Sequence, residues 1–185
     1  MPVPARFRFV THQGVEVCIR TLDEEDTNHL IDLFAHLSAR SRYQRFNRPL
    51  EHPEPERVRQ GAEQLAHIPD GQGLALLAFA LVDGAAAPVA VARYVRLSDT
   101  VAEPALTIRD DFQGQGLGTF LFQKLIAAAQ AEQIQQFMAN IQASNQPALR
   151  LIKQSGLPTS QTVDEGQIVV TIELQPIRHP VELAA

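Results

Sequence analysis

Arg109-Asp110-Asp111-Phe112-Gln113-Gly114-Gln115-Gly116-Leu117-Gly118-Thr119 separates two different hydrophobic rhythms. Upstream, a strand ends near Ile108. Downstream, Leu117, Phe120, Leu121, Leu125, Ile126 and Ala129 recur at helical spacing and predict a helix of about 15 residues. Gly114, Gly116 and Gly118, at alternate positions, let backbone N–H groups point inward without Cβ obstruction. The last of them open the helix, whose first-turn amides lack an internal acceptor and whose dipole favours an anion. A diphosphate fits such a place. No lysine stands between Gly114 and Thr119, so binding there would rest on backbone geometry. A purely structural glycine turn is the alternative, although three glycines at a helix mouth cost stability without an evident packing return.

Two nucleotide-binding patterns fit less well. Nothing supplies the Gly-Lys-Ser/Thr ending of a P-loop. In the Rossmann pattern the third glycine would fall at Thr119, one residue later than Gly118, and the loop would follow the first strand of a βαβ unit. Here the glycines come past the middle of the chain, after an antiparallel meander.

Outward from the loop, alternation predicts a strand over 15–21, and Leu30, Leu33, Phe34 and Leu37 predict a helix over 26–37. Ser38 caps a short helix running to about Arg45, and a third helix covers 54–68 until Pro69-Asp70-Gly71 stops it. The nearly unbroken apolar run 74–82 reads as a strand covered on both faces. Asp83-Gly84 turns the chain into an antiparallel neighbour over 89–97, and Ser98-Asp99-Thr100 turns it again. Beyond the long helix, 134–141 is a strand, 147–154 a helix and 167–174 a final strand. Pro176 and Pro180 fence off a loosely held tail, 175–185. The expected architecture is α+β, a mixed sheet flanked by helices in one domain over 1–185, with its core in 15–174.

With these elements in place, the chain resembles the GNAT N-acetyltransferases, whose acyl-coenzyme A signature is Gln/Arg-x-x-Gly-x-Gly/Ala. Gln113-Gly114-Gln115-Gly116-Leu117-Gly118 matches it. The stretches 102–112 and 119–126 look like the strand and long helix on either side of that signature. Asn145-Gln146-Pro147-Ala148 and Ser155-Gly156-Leu157 resemble the closing asparagine and helix region. Ile19-Arg20 and the stretch 38–46 look like the acetyltransferase domains of bacterial protein-lysine acetyltransferases. The resemblance spans roughly 15–174. It implies a twisted, mostly antiparallel sheet with a splayed central strand pair, and acetyl-coenzyme A as acyl donor.

Residue by residue, the resemblance implies that backbone amides of Gln113, Gly114, Gly116, Gly118 and Thr119 bind the cofactor's pyrophosphate. Leu106 and Ile108 would pair with its pantetheine arm, and Asn145 would lie near the thioester. Glu103 falls where the protein-acetylating branch carries the glutamate that handles the amine's proton. Chemistry gives Glu103 a case of its own, because a lysine amine with a reference pKa of about 10.4 attacks only after losing a proton. An ordinary solvated glutamate after a turn is the competing reading. Pro104, poor at mid-strand hydrogen bonding, suggests an edge or a bulge beside it. The pattern is departed from at Ile152, where many members carry a thiolate-protonating tyrosine, and at Leu157, where phenylalanine is usual.

Composition narrows the function classes. Sixteen basic and twenty-one acidic residues in 185 give a net charge of −5, which opposes nucleic acid as the main partner. No apolar run approaches the roughly 20 residues of a membrane span, so no membrane partner is expected and a cytoplasmic protein is. The single cysteine, Cys18, allows no internal disulfide, and its alternating strand suggests a buried or half-buried thiol. The six histidines form no ligand cluster, so no metal is expected. The block Arg40, Arg42, Arg45 and Arg48 reads as an acceptor-side or cofactor-phosphate surface, or as a solvated helix face. The expected reaction moves an acetyl group to a primary amine on a protein lysine or a small molecule, by direct attack in a ternary complex. A non-catalytic acyl-coenzyme A-binding module is the rival. A homodimer is compatible with either.

Overall fold

The apolar run 74–82 forms the strand β3 (Gly73–Val82) at the heart of the sheet, and both of its faces are covered. Leu76, Ala78 and Ala80 enter the larger core cluster on one side, while Leu77 joins Leu30, Ala62 and Ala66 on the other. The computed structural model describes residues 6–50, 53–164 and 167–174. The expected tail, 175–185, lies outside the described residues.

The remaining strands are β1 (Arg6–Val10), β2 (Glu16–Thr21), β4 (Ala85–Arg96), β5 (Val101–Ile108), β6 (Gln136–Gln142), β7 (Thr159–Asp164) and β8 (Gln167–Glu173). They form one sheet in the order β1-β2-β3-β4-β5-β6-β8-β7. Every neighbouring pair is antiparallel except β5 and β6, which are parallel. The helices are α1 (Thr27–Ala35), α2 (Ala39–Phe46), α3 (Pro55–Ala66), α4 (Leu117–Ala131) and α5 (Gln146–Gln154). Helices α1 and α3 bury Leu30, Ala62 and Ala66 against Leu77. On the opposite face α4 buries Leu117, Leu121, Phe122, Leu125 and Ala129 in the cluster that holds Leu76 and Ala78.

Two strands escape sequence reasoning. The outermost strand β7 is Thr159-Ser160-Gln161-Thr162-Val163-Asp164, too polar to show an apolar alternation, and β1 is an edge strand with no fully buried residue. Two expectations are corrected. Cys18 is exposed, because Val17 and Ile19 take the core-facing positions of β2. No bulge lies at Pro104: the β4–β5 register runs unbroken through Tyr94↔Pro104, and the register shift sits at Ala78/Phe79 instead.

A buried acid ties β2 to the helices. Asp26, only 4% exposed, pairs with both terminal nitrogens of Arg20 at 2.6 Å and accepts the Asp23 amide at 2.8 Å. Burial works to raise its pKa, but the Arg20 hydrogen bonds, the Asp23 amide and the Arg20 charge together hold it below the ordinary value. A carboxylate depressed in the folded state stabilises above its unfolded pKa of about 3.9 and loses that contribution as pH falls through the folded value. Arg20 is partly solvated, so Asp26→Ala should cost about 2–3 kcal/mol at neutral pH, below the range of about 3–5 kcal/mol for a fully buried pair. Urea titrations at pH 7 and pH 3 check this, with the wild-type advantage shrinking in acid.

Candidate active site

Parallel pairing between β5 and β6 consists of Val101↔Gln136 and Ala102↔Phe137, and stops there. Beyond this vertex the strands part. Glu103 is the first residue past it. The Arg109 amide donates to the Val89 carbonyl in β4, and Leu97 donates likewise to Val101. Hydrogen-bonding direction alternates along an antiparallel strand, so odd-numbered residues of β5 bond to β4. Leu106 and Ile108 therefore turn their backbone N–H and C=O groups to the gap. Pro104 falls on the gap side too, where its missing N–H removes no ladder bond.

The opening is a cleft of about 770 Å³. Its lining brings together all the sequence-predicted site residues: Glu103, Leu106 and Ile108 from β5, Gln113, Gly114, Gly116, Gly118 and Thr119 from the loop, and Asn145 from the start of α5. The Asn145 side chain caps α5 by accepting the Ala148 amide at 3.2 Å. Ile152 also lines the cleft and is buried, so this position offers no proton.

The loop is built to leave its amides free. Gly114 (φ 70°) and Gly116 (φ 89°) are left-handed, a conformation that costs other residues steric strain. A Cβ on Gly116 would lie 2.7 Å from His12 Nε2, and one on Gly118 would lie 3.0 Å from Ile108 Cδ1. Among the described residues, the amides of Gly114, Gly116, Gly118 and Thr119 have no acceptor, whereas Gln113 N–H turns to Asp110 O at 3.3 Å. Gln115 is buried; its Nε2 donates to Asp111 O at 2.6 Å, and its Oε1 has no partner among the described residues. From above, the turn between β1 and β2 clasps the loop, with His12 N–H donating to Gln115 O at 3.1 Å. His12 thereby lines the cleft, a placement that only the unrecognised β1–β2 hairpin could have disclosed.

Helix α2 bridges the two arms of the opening. Ser38 caps it by accepting the Ser41 amide, and Ser38 N–H, Ser38 Oγ and Ser41 Oγ all donate to the Asp110 carboxylate at 2.8–2.9 Å. Burial works against the Asp110 charge, but these hydrogen bonds hold its pKa below the ordinary value. Gln113 Nε2 reaches Ser41 Oγ and Ile108 O, at the end of β5. At the far end, Gln142 of β6 donates to Asn47 Oδ1 at 2.6 Å and to Tyr43 O at 3.3 Å.

The four arginines of this region divide. Arg42 stacks on Phe34 and donates to the carbonyls of Phe34, Ala35 and Leu50, a structural clamp. Arg40 and Arg48 are exposed. Arg45 alone of the four lines the cleft.

A sheet that forks at one parallel strand pair, with unpaired loop amides at the mouth of a long helix beside the fork, defines the GNAT fold. The family model described as "Acetyltransferase (GNAT) family" matches residues 34–157. The chain belongs to that family, whose members are acetyl-coenzyme A-dependent acetyltransferases. It is 33% identical over 100 residues to acetyltransferase Pat of Mycolicibacterium smegmatis, a match spanning 52% of this chain and only 30% of that protein. It is 29% identical over 158 residues to acetyltransferase PA5475 of Pseudomonas aeruginosa, covering 85% of this chain and 83% of that one. Its fold is similar to the GNAT domain of S. lividans PAT, with a TM-score of 0.77 at 20% identity over 91% of this chain and 96% of that one. Among the described residues no helix is long and apolar enough to cross a membrane, and no group of acidic, histidine or cysteine side chains is placed to hold a metal ion.

Proposed function

We propose that the chain transfers an acetyl group from acetyl-coenzyme A to a primary amine, by direct attack within a ternary complex. The observation that carries this reading is the alignment of unpaired loop amides and gap-facing β5 backbone along one cleft that has Glu103 at its vertex. Acetyl-coenzyme A supplies an activated thioester. The amides of Gly114, Gly116, Gly118 and Thr119 hold its diphosphate at the α4 N-terminus. Gln113 contributes its side-chain bridge more than its amide, which already has an acceptor. Leu106 and Ile108 take the pantetheine arm as an added strand on an open sheet edge, and Asn145 fixes the opposite wall.

Glu103 accepts the proton that the ammonium must lose. The amine nitrogen then bonds to the carbonyl carbon as the carbon–sulfur bond breaks; the thiolate departs with the electron pair and takes up the second proton, which the nitrogen sheds as the amide forms. A thiol's reference pKa of about 8.5 makes that departure feasible without a donor at Ile152. Cys18, exposed on β2 and absent from the cleft lining, takes no acyl group. The acceptor is an amine on a protein lysine or on a small molecule.

The buried Ile152 favours a second reading, a non-catalytic module that binds acyl-coenzyme A without turning it over. Thiol release from acetyl-coenzyme A, with a mixed pool of small amines and lysine peptides, separates the two. Release above the acceptor-free rate is the expected result. Calorimetric binding without release by any acceptor would establish the binding module, and absence of binding would overturn both.

A further inference from the structure

Arg45 and Arg150 line the cleft without a hydrogen bond or ion pair to a described residue; Arg45 lies against the Phe46 ring, 5.2 Å from its centroid, and close enough to Glu103 to feel its charge. Other partly buried arginines nearby are engaged. Arg93 donates to Leu65 O, Arg20 grips Asp26, and Arg42 clamps the end of α1. The place of Arg45 follows from the bridge. Ser41 is fastened to Asp110 and Gln113 at the end of β5, and Arg45 lies four residues on, about 6 Å along the helix, where it lines the same cleft as Glu103. Arg45 and Glu103 are too far apart for an ion pair but close enough to feel each other's charge.

The charges at this end of the cleft do not balance. Burial lowers the Arg45 pKa, the Arg93 charge lowers it further, and only Glu103 opposes them. Arg93 is itself lowered by burial, with Glu103 as its opposing charge. Two guanidiniums thus share one carboxylate. A lysine side chain entering here would add a third cation and bring no anion of its own. An amine with a neighbouring carboxylate is complementary, ammonium toward Glu103 and carboxylate toward the open fork of Arg45.

We propose that the acceptor is a small amine carrying a carboxylate beside its amino group, and that Arg45 is the residue that selects it. The proposal rests on the acetyltransferase reading above. Arg45 positions the acceptor; Glu103 handles its proton.

The test compares L-methionine, L-phenylalanine and L-glutamate with their α-carboxamides and with a lysine peptide, by thiol release from acetyl-coenzyme A. Wild type should favour the acids over the amides by about 10- to 100-fold in KM, the value of a charge-assisted hydrogen-bonded pair. In Arg45→Gln that ratio should fall toward one, and Arg45→Lys should restore part of it. Circular dichroism checks that the variants fold. Preference for amides or for the lysine peptide, or an acid-to-amide ratio unchanged in Arg45→Gln, would overturn the proposal. So would a carboxylate requirement met from the donor, seen as Arg45-dependent use of succinyl-coenzyme A with simple amines. Should no amine release thiol although acetyl-coenzyme A binds, the transferase reading itself fails. Calorimetry on the coenzyme A-loaded protein then tests Arg45 separately: N-acetylmethionine should bind more tightly than N-acetylmethioninamide in wild type and equally in Arg45→Gln, and equal binding in wild type refutes the proposal.

Discussion

Gly116→Glu should abolish acetyl-coenzyme A binding in calorimetry while the far-ultraviolet spectrum keeps its helical signal. Three effects act at one position. The backbone there is left-handed at φ 89°, which a side chain occupies at a cost of about 1–3 kcal/mol. A Cβ meets His12 Nε2 at 2.7 Å, so the imidazole must move from the loop it covers. The carboxylate then places a negative charge where the unpaired amides and helix dipole attract one, which reverses the sign of the site. Gly116→Ala separates the contributions, since it keeps the strain and the His12 collision but adds no charge. Its binding should fall between wild type and the glutamate variant. Full binding by Gly116→Glu would place the cofactor elsewhere.

For Glu103→Gln the expected result is a fall in kcat of about 10²- to 10⁴-fold, the usual consequence of losing a general base, with cofactor affinity nearly unchanged. Glutamine keeps the shape and the hydrogen-bonding reach but cannot accept a proton near neutrality. Glu103 stands at the vertex, while the unpaired amides of the loop lie past the other end of β5, so a change at the vertex leaves the diphosphate contacts in place. A pH series gives the sharper reading. As the solution approaches the amine's own pKa, about 10.4 for a lysine-like amine, the acceptor deprotonates unaided and the variant should recover rate relative to wild type. Equal rates at pH 7 would remove Glu103 from the chemistry.

What could be foreseen in the sequence was whatever local spacing encodes. The long helix α4 shows a sustained apolar period, and alternate glycines at its mouth show where amides stay unpaired. Glu103 was visible as a candidate carboxylate, but its position at the vertex depends on where β5 and β6 cease to pair, a contact across about 35 residues that no local pattern carries. Arg42 and Arg45 look alike in a short helix that also carries Arg40. Only the crossing of α2 over the fork sends one to backbone carbonyls and the other to the cleft. Pro104 suggested an edge or a bulge, and the edge is the one turned to the gap. The alternation of its strand suggests a buried or half-buried Cys18; the alternation holds, but Val17 and Ile19 occupy its buried phase and Cys18 the exposed one.

The bridge formed by α2 buries none of its own residues and is fastened at each end by side-chain hydrogen bonds. The sheet core therefore does not draw its stability from α2, whose residues would face the acceptor on the proposed reading. On that reading, substrate choice is a separable module. Because none of the α2 residues is fully buried, its side chains can be exchanged, by natural divergence or at the bench, at less cost to folding than core residues. A library confined to Gln44, Arg45 and the neighbouring turn would explore new acceptors on an otherwise unaltered catalytic frame.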